Sequence, residues 1–211
     1  MVQNLIREEN IELIGQVETN HSQLSQWDIQ SCWGQHVADF IQEPAYEGSG
    51  GLIISCRKDS FIYSRCIKRR RWISLTGEFL NDHFRFEVCL VYAPNDQNNR
   101  RQVWDQLRTL KASVTVPLLL MGDFNGILHP RERRGASEVT TSMREFQELI
   151  QDLQLFDLEI GQNFTWLRWN AASRIDRVMI ELDFLLPFPR IKAWCKNRQL
   201  SDHFAIVVGT T

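Results

Sequence analysis

With 211 residues, 43% of them hydrophobic and 24% charged, the chain has the composition of one globular domain and lies outside the disordered and collagen-like classes. A net charge of −2 gives no general attraction to a polyanion, so any nucleic-acid contact must come from local patches. Cys32, Cys56, Cys66, Cys89 and Cys195 are widely spread with no Cys-x-x-Cys pair, which favours reduced thiols over a disulfide framework or a zinc site.

Val2, Leu5 and Ile6 fall on one face of an amphipathic helix over residues 2–10, and Ile11 to Val17 reads as a short buried strand closed by Glu18. No apolar run reaches the roughly 20 residues of a spanning helix, and the first residues lack the apolar centre of a secretory signal. An intracellular protein, nuclear or cytoplasmic, is therefore expected. Gly48 to Gly51 reads as a loop, followed by strands at Leu52–Cys56, Phe61–Ile67, Trp72–Thr76 and Phe84–Tyr92. Between the second and third of these lies the basic run Lys68-Arg69-Arg70-Arg71, most simply a solvated face. Val103, Trp104, Leu107 and Leu110 define a helix over 100–111. The run Val116-Pro117-Leu118-Leu119-Leu120-Met121 is strand-like and ends in Gly122-Asp123-Phe124-Asn125. A polar loop to Thr140 carries Arg131, Arg133 and Arg134, close enough in sequence to that segment to serve as phosphate contacts. Ser142 as N-cap and Glu145 three residues on predict a helix over 142–153. Short strands follow at Phe164–Trp166, Ile175–Ile180 and Ala205–Val208. With no internal repeat or linker, a single domain spanning 1–211 is the economical reading.

The polar residues at strand ends are few and chemically alike: Glu18, Tyr92, Asp123 with Asn125, Asp176, and Asp202 with His203. An ionised Asp is costly to bury and unfavourable in a strand, so Asp123 needs a turn partner or a cation. Carboxylates with one histidine and no sulfur suit a hard divalent cation, Mg2+ or Mn2+, better than zinc. Beside an imidazole and a phenol, such an ion is equipment for phosphoryl chemistry.

The segments Gly15-Gln16-Val17-Glu18-Thr19, Leu90-Val91-Tyr92-Ala93-Pro94, Gly122-Asp123-Phe124-Asn125, Ser173-Arg174-Ile175-Asp176-Arg177 and Ser201-Asp202-His203 occur in the order found in the endonuclease/exonuclease/phosphatase superfamily, which the chain resembles. His129-Pro130-Arg131-Glu132-Arg133-Arg134-Gly135-Ala136, Met143-Arg144-Glu145-Phe146 and Asn163-Phe164-Thr165-Trp166 look more narrowly like the endonuclease domain of plant LINE-type retrotransposons. The resemblance implies a DNase I-like α+β fold, a four-layered α/β/β/α sandwich with the site at the strand ends. It implies Glu18 and Asp202 as metal ligands for Mg2+ or Mn2+ and Asp123 as the residue orienting the attacking water. Asn125 would hold the scissile phosphate, Asp176 would buttress His203, His203 would meet the phosphate, and Tyr92 would point its phenol toward the phosphate or leaving group. DNA is the implied substrate, with no membrane and no obligate protein partner. Trp166 and Trp169 could stack on bases, although core packing is the commoner use of such residues.

The family begins with a strand ending in a site asparagine, whereas this sequence starts inside the following helix, where neither Asn4 nor Asn10 ends an apolar strand. Val17 stands where glutamine is common. The expectation is therefore a retroelement-derived phosphodiester hydrolase of DNA endonuclease type, N-terminally truncated and impaired by the missing strand. The competing readings are an inactive relic or nucleic-acid-binding remnant, and a hydrolase of small phosphate esters.

Overall fold

The computed structural model describes residues 2–46, 50–198 and 201–210, which cluster into two compact units, Met1–Tyr92 and Ala93–Thr211. Gly48 and Ser49 of the expected glycine-rich loop lie outside the described residues.

The first unit contains helix α1 (Val2–Glu8), strand β1 (Leu13–Val17), helix α2 (Gln26–Trp33) and strands β2 (Ala38–Glu43), β3 (Leu52–Arg57), β4 (Phe61–Arg69), β5 (Trp72–Phe79) and β6 (Phe84–Tyr92). β3 is the central strand of an antiparallel trio, with Val17 opposite Leu52 on one side and Glu43 opposite Leu52 on the other. β4, β5 and β6 form an antiparallel meander. β3 and β5 are buried over most of their length, β3 with the apolar run Leu52-Ile53-Ile54 and β5 with the buried hydroxyls of Ser74 and Thr76 among its apolar residues. Ile6, Ile29, Trp33, Ala38 and Ile53 lock the two helices onto the first trio. Glu87, fully buried in β6, accepts hydrogen bonds from the hydroxyls of Ser74 and Thr76 across the ladder, so its carboxyl group is not left without partners in the core.

α2 and β2 have no counterpart in the sequence-based reading. α2 buries only Ile29 and Trp33, so its apolar periodicity is faint; its start is set instead by a reciprocal cap, in which the Ser25 hydroxyl accepts from the Asp28 amide and the Asp28 carboxylate from the Ser25 amide. β2 is half-buried and carries Asp39, Gln42 and Glu43.

The second unit contains helix α3 (Gln97–Ser113), strand β7 (Leu118–Asp123), a 3-10 turn (Pro130–Glu132), helix α4 (Thr141–Asp152), strands β8 (Phe156–Asp157), β9 (Trp166–Arg168), β10 (Ala171–Ser173) and β11 (Asp176–Ile180), a second 3-10 turn (Leu182–Leu185), and strands β12 (Ile191–Cys195) and β13 (Ile206–Thr210). β11 runs antiparallel between β7 and β8, β9 and β10 form a hairpin, and β12 pairs with β13. α3 begins earlier than its apolar spacing predicts because Asp96 caps it, accepting from the Asn99 amide at 2.9 Å. Its Trp104 ring stacks on Phe146 of α4, which stacks on Phe124 just past β7.

The cap expected at Ser142 is corrected. Thr140 is the N-cap of α4, its hydroxyl accepting from the Met143 amide at 3.3 Å. Ser142 instead accepts a hydrogen bond from the buried Arg100 at 2.8 Å, and Glu145 pairs with Arg101 rather than completing a box. The strand expected at Phe164–Trp166 is displaced to Trp166–Arg168, since the Thr165 side chain is drawn into other bonds described below.

Candidate active site

In the second unit the site starts from strand register. β7 and β11 pair so that Asp123 stands directly opposite Asp176, and side chains of directly opposed residues share a face with Cβ atoms about 4.5–5.5 Å apart. Both are buried, and two carboxylates so placed repel unless something positive lies between them. His203 supplies it: Nδ1 lies 3.0 Å and 2.9 Å from the two carboxylate oxygens of Asp176. Ligand atoms of Asp123, Asp176 and His203 all lie within 4.8 Å of one another. Burial, the largest single influence on the imidazole, favours its neutral form. The hydrogen bond His203 donates to Asp176 and the charges of Asp176, Asp123 and Asp202 outweigh it and push the His203 pKa up to about 9. At neutral pH His203 is therefore an imidazolium, with Nδ1–H donated to Asp176.

The turn after β7 is built for this geometry. Gly122, at φ 128°, adopts a backbone conformation that disfavours a side chain, and Asn125 sits at φ 46°, in the left-handed region that asparagine tolerates. Asn125 donates its backbone N–H to Asp123 Oδ1 at 2.8 Å and its Nδ2 to Asp123 Oδ2 at 3.1 Å and to the Ala93 carbonyl at 2.8 Å. Asp202, half-buried, accepts from the Trp166 indole N–H at 2.9 Å. Trp166 is partly buried against Ile127, Met143 and Ile175, the core packing that is the commoner use of such a residue, while its indole N–H holds a carboxylate. Trp169, at the tip of the β9–β10 hairpin, is 95% exposed.

In the first unit, Glu18 follows β1 at φ 54°, a conformation that costs energy for a non-glycine residue and recurs at functional positions. The Thr19 and Asn20 amides bond to the carbonyls of Gly51 and Gly50 and hold it there. Gly51 must lack a side chain, because a Cβ would come 2.3 Å from Thr19 Oγ1. The exposed Glu18 carboxylate accepts the Tyr92 phenol at 2.5 Å. Asn4 is on α1, and the Asn10 side chain accepts from Arg57 at 2.9 Å, so neither stands at a strand end.

Arg133 and Arg134 brace a loop: Arg133 Nε donates to Ser173 Oγ at 3.1 Å, while Arg134 Nη1 donates to the Asn170 carbonyl at 3.0 Å. Arg177 is fully buried and pairs with Glu132 and Asp157, and Arg174 reaches the same two acids.

Sequence reasoning gave no role to Thr165, Glu132 or Asp157. Thr165 Oγ1 accepts the amides of Ile175 and Asp176 at 3.0 Å and 2.9 Å, fixing the backbone that carries Asp176. Glu132 also accepts the Leu128 amide at 2.6 Å and so ties the loop after Asn125 to β11. The signal available was Arg177 itself, a charge directly preceding Val178-Met179-Ile180, which had to find an acid inside.

The donor set fits a hard divalent cation. Within the second unit it is mostly oxygen, from Asp123 and Asp176 with one His203 nitrogen, and Asp202 beside them has one carboxylate oxygen engaged by the neutral Trp166 donor.

A model of the Endonuclease/Exonuclease/phosphatase family matches residues 1–203. No curated protein sequence matches the chain. Among solved structures, the endonuclease domain of TRAS1, a telomere-specific non-LTR retrotransposon, aligns over 98% of this chain and 88% of its own, with TM-score 0.75 and 14% identity. An AP endonuclease from Archaeoglobus fulgidus aligns over 100% and 93%, with TM-score 0.75 and 14% identity. A mannosyl-6-phosphatase from Bacteroides thetaiotaomicron aligns over 99% and 88%, with TM-score 0.67 and 15% identity. At such identities the likeness is one of fold, and the fold is α+β and DNase I-like, as the sequence led us to expect.

Proposed function

Since the chain belongs to the endonuclease/exonuclease/phosphatase family, whose solved relatives include nucleases and a phosphatase, we propose that it is a Mg2+- or Mn2+-dependent phosphodiester hydrolase acting on DNA. The observation that carries this reading is the Asp123–Asp176 register pair with His203 hydrogen-bonded to Asp176. The family match runs across both units, which supports treating residues 1–211 as one catalytic domain.

Glu18 and Asp202 would hold the ion, which when bound neutralises phosphate oxygens and the leaving oxyanion. Asp123, kept oriented by Asn125, orients the attacking water for in-line displacement. The Asn125 carboxamide would hold the scissile phosphate by turning toward it the Nδ2–H that rests on Asp123, while the other stays on the Ala93 carbonyl and the backbone N–H keeps Asp123 oriented. His203, charged at neutral pH, donates from Nε2 to the phosphate and stabilises charge as it develops; Asp176 sets its tautomer and charge. Tyr92 directs its phenol to the phosphate or leaving group. The retroelement origin rests on the motif at His129–Ala136 and is supported by the TRAS1 likeness in fold.

Purified protein is expected to nick supercoiled plasmid only with Mg2+ or Mn2+. Asp123→Ala and His203→Ala should each lower the rate by about 10²-fold or more, the scale of removing a charge-stabilising group. Unchanged nicking in those variants overturns the assignment. Equal rates on plasmid and on a soluble phosphate monoester would transfer the chain to the small-ester reading, and a folded, Mg2+-supplemented protein without turnover would leave the relic.

A further inference from the structure

We propose that the hairpin turn joining β4 to β5, Lys68 to Arg71, is a surface that binds the phosphate backbone of a nucleic-acid strand. Its substrate class rests on the hydrolase reading above and deepens it, because a site for small phosphate esters needs no such arm.

The register pairs Arg69 with Trp72, leaving Arg70 and Arg71 as the two loop residues. Two-residue hairpin loops favour positive φ and residues such as Asn and Gly that tolerate it. Here both positions are arginine and neither has positive φ. A turn with negative φ at both central residues accepts most side chains, so its geometry does not ask for arginine and the charge is free to serve another purpose.

The three guanidiniums are also pre-oriented. Arg69 lies over the Trp72 ring at 5.8 Å, Arg70 over Tyr46 at 4.5 Å and Arg71 over Tyr92 at 5.6 Å. Stacking fixes the plane of each guanidinium while leaving N–H groups at its edge free to bond phosphate oxygens. Lys68, Arg69 and Arg70 are exposed, and none of Lys68 to Arg71 forms an ion pair with a carboxylate among the described residues. Lys68 Nζ donates to the Gln42 carbonyl, a neutral acceptor, at 3.3 Å. Stacking of Arg71 on Tyr92 places this patch next to the Tyr92 phenol and Glu18, so a strand whose phosphate meets Tyr92 runs directly onto it. In a chain of net charge −2, four cations at one turn, with no ion-pair partner among the described residues, form a local field of the sign a polyanion needs.

The test is equilibrium binding of a short fluorescein-labelled DNA duplex of mixed sequence to full-length protein in the Asp123→Asn background, read by anisotropy over a salt series. Combined Lys68→Ala, Arg69→Ala and Arg70→Ala, with Arg71 kept on Tyr92, is expected to weaken low-salt binding by about tenfold or more. The log–log salt slope should flatten by about 2 to 3, near 0.9 for each phosphate that is no longer neutralised. Arg70→Gln alone, at an exposed site, should flatten the slope by about 0.9, which keeps the test decisive if the triple variant misfolds. Unchanged slope and affinity, or no duplex binding by the parent, overturns the proposal. So does capture of phosphatidylserine vesicles, but not duplex, through the same side chains. Binding is read without turnover: a protein that nicks with an unaltered slope sinks this inference alone, and one that binds through the turn but never nicks sinks the hydrolase reading alone.

Discussion

His203 carries the largest functional consequence of any single residue. A free imidazole is half-protonated near pH 6.5, and its role would be ambiguous between base and charged donor. With Asp176 on Nδ1 and its pKa pushed up to about 9, it is a donor throughout the neutral range. NMR titration of metal-free protein should therefore show the His203 ring protonated at pH 8, with a midpoint about 9, and Asp176→Asn should move that midpoint down toward the ordinary value of about 6.5. The sign of the linkage follows: because the folded pKa lies above the unfolded one, the stability this pair contributes is complete below about pH 6.5 and is lost as pH rises through about 9. Activity should fall over the same alkaline limb. A midpoint below 7 in the parent would remove the charged-donor role. Asp123 stood out in the sequence because it ends an apolar run where a carboxylate has no place without a partner, whereas the roles of Asp176, Asp202 and His203 were implied by the resemblance. Thr165, Glu132 and Asp157 were not, since their partners are 10 to 45 positions away in sequence and only the folded chain pairs them.

At the scale of elements, the strands of the first unit and both long helices of the second are readable from period and apolar content, because their burial is continuous or one-sided. What escapes are the elements whose formation depends on a neighbour: α2 with its reciprocal cap, the half-buried β2, and β8, β10 and β12 at two to five residues each. The loop of residues 126–134 belongs to the same class. It looks like a free basic loop in sequence, yet Glu132 anchors it to Arg177, and burial, which alone would raise the Glu132 pKa, is outweighed by the Arg177 charge and the Leu128 amide so that the carboxyl stays ionised below its usual range. Glu132→Gln leaves a fully buried guanidinium with one acid in place of two. Unfolding in urea should show a loss of about 3 kcal/mol, the lower end of the cost of breaking a buried pair, because Asp157 remains. A loss under 1 kcal/mol would mean that the loop is held by its backbone bonds alone.

For the molecule as a whole, 24 basic and 26 acidic residues nearly cancel, and that sum conceals how unevenly they are placed. Cations gather at the β4–β5 turn, while Asp123, Asp176 and Asp202 act together on one imidazole. That convergence of carboxylates exists only in the folded chain, where a divalent ion would relieve their mutual repulsion, whereas the unfolded chain holds no such grouping. Ion binding must then appear as stability of the native state. At a Mg2+ concentration about 100 times its dissociation constant the gain is about 2.7 kcal/mol. For a chain of this size each kcal/mol moves the melting temperature by about 2–4 °C. Calorimetry should accordingly show a rise of about 5–10 °C between EDTA and saturating Mg2+, and most of that increment should vanish in Asp202→Asn. An identical increment in that variant would place the ion elsewhere. Failure of Mg2+ and Mn2+ alike to move the transition would mean that the acids are balanced within the protein, and hydrolysis would lose the cation it depends on.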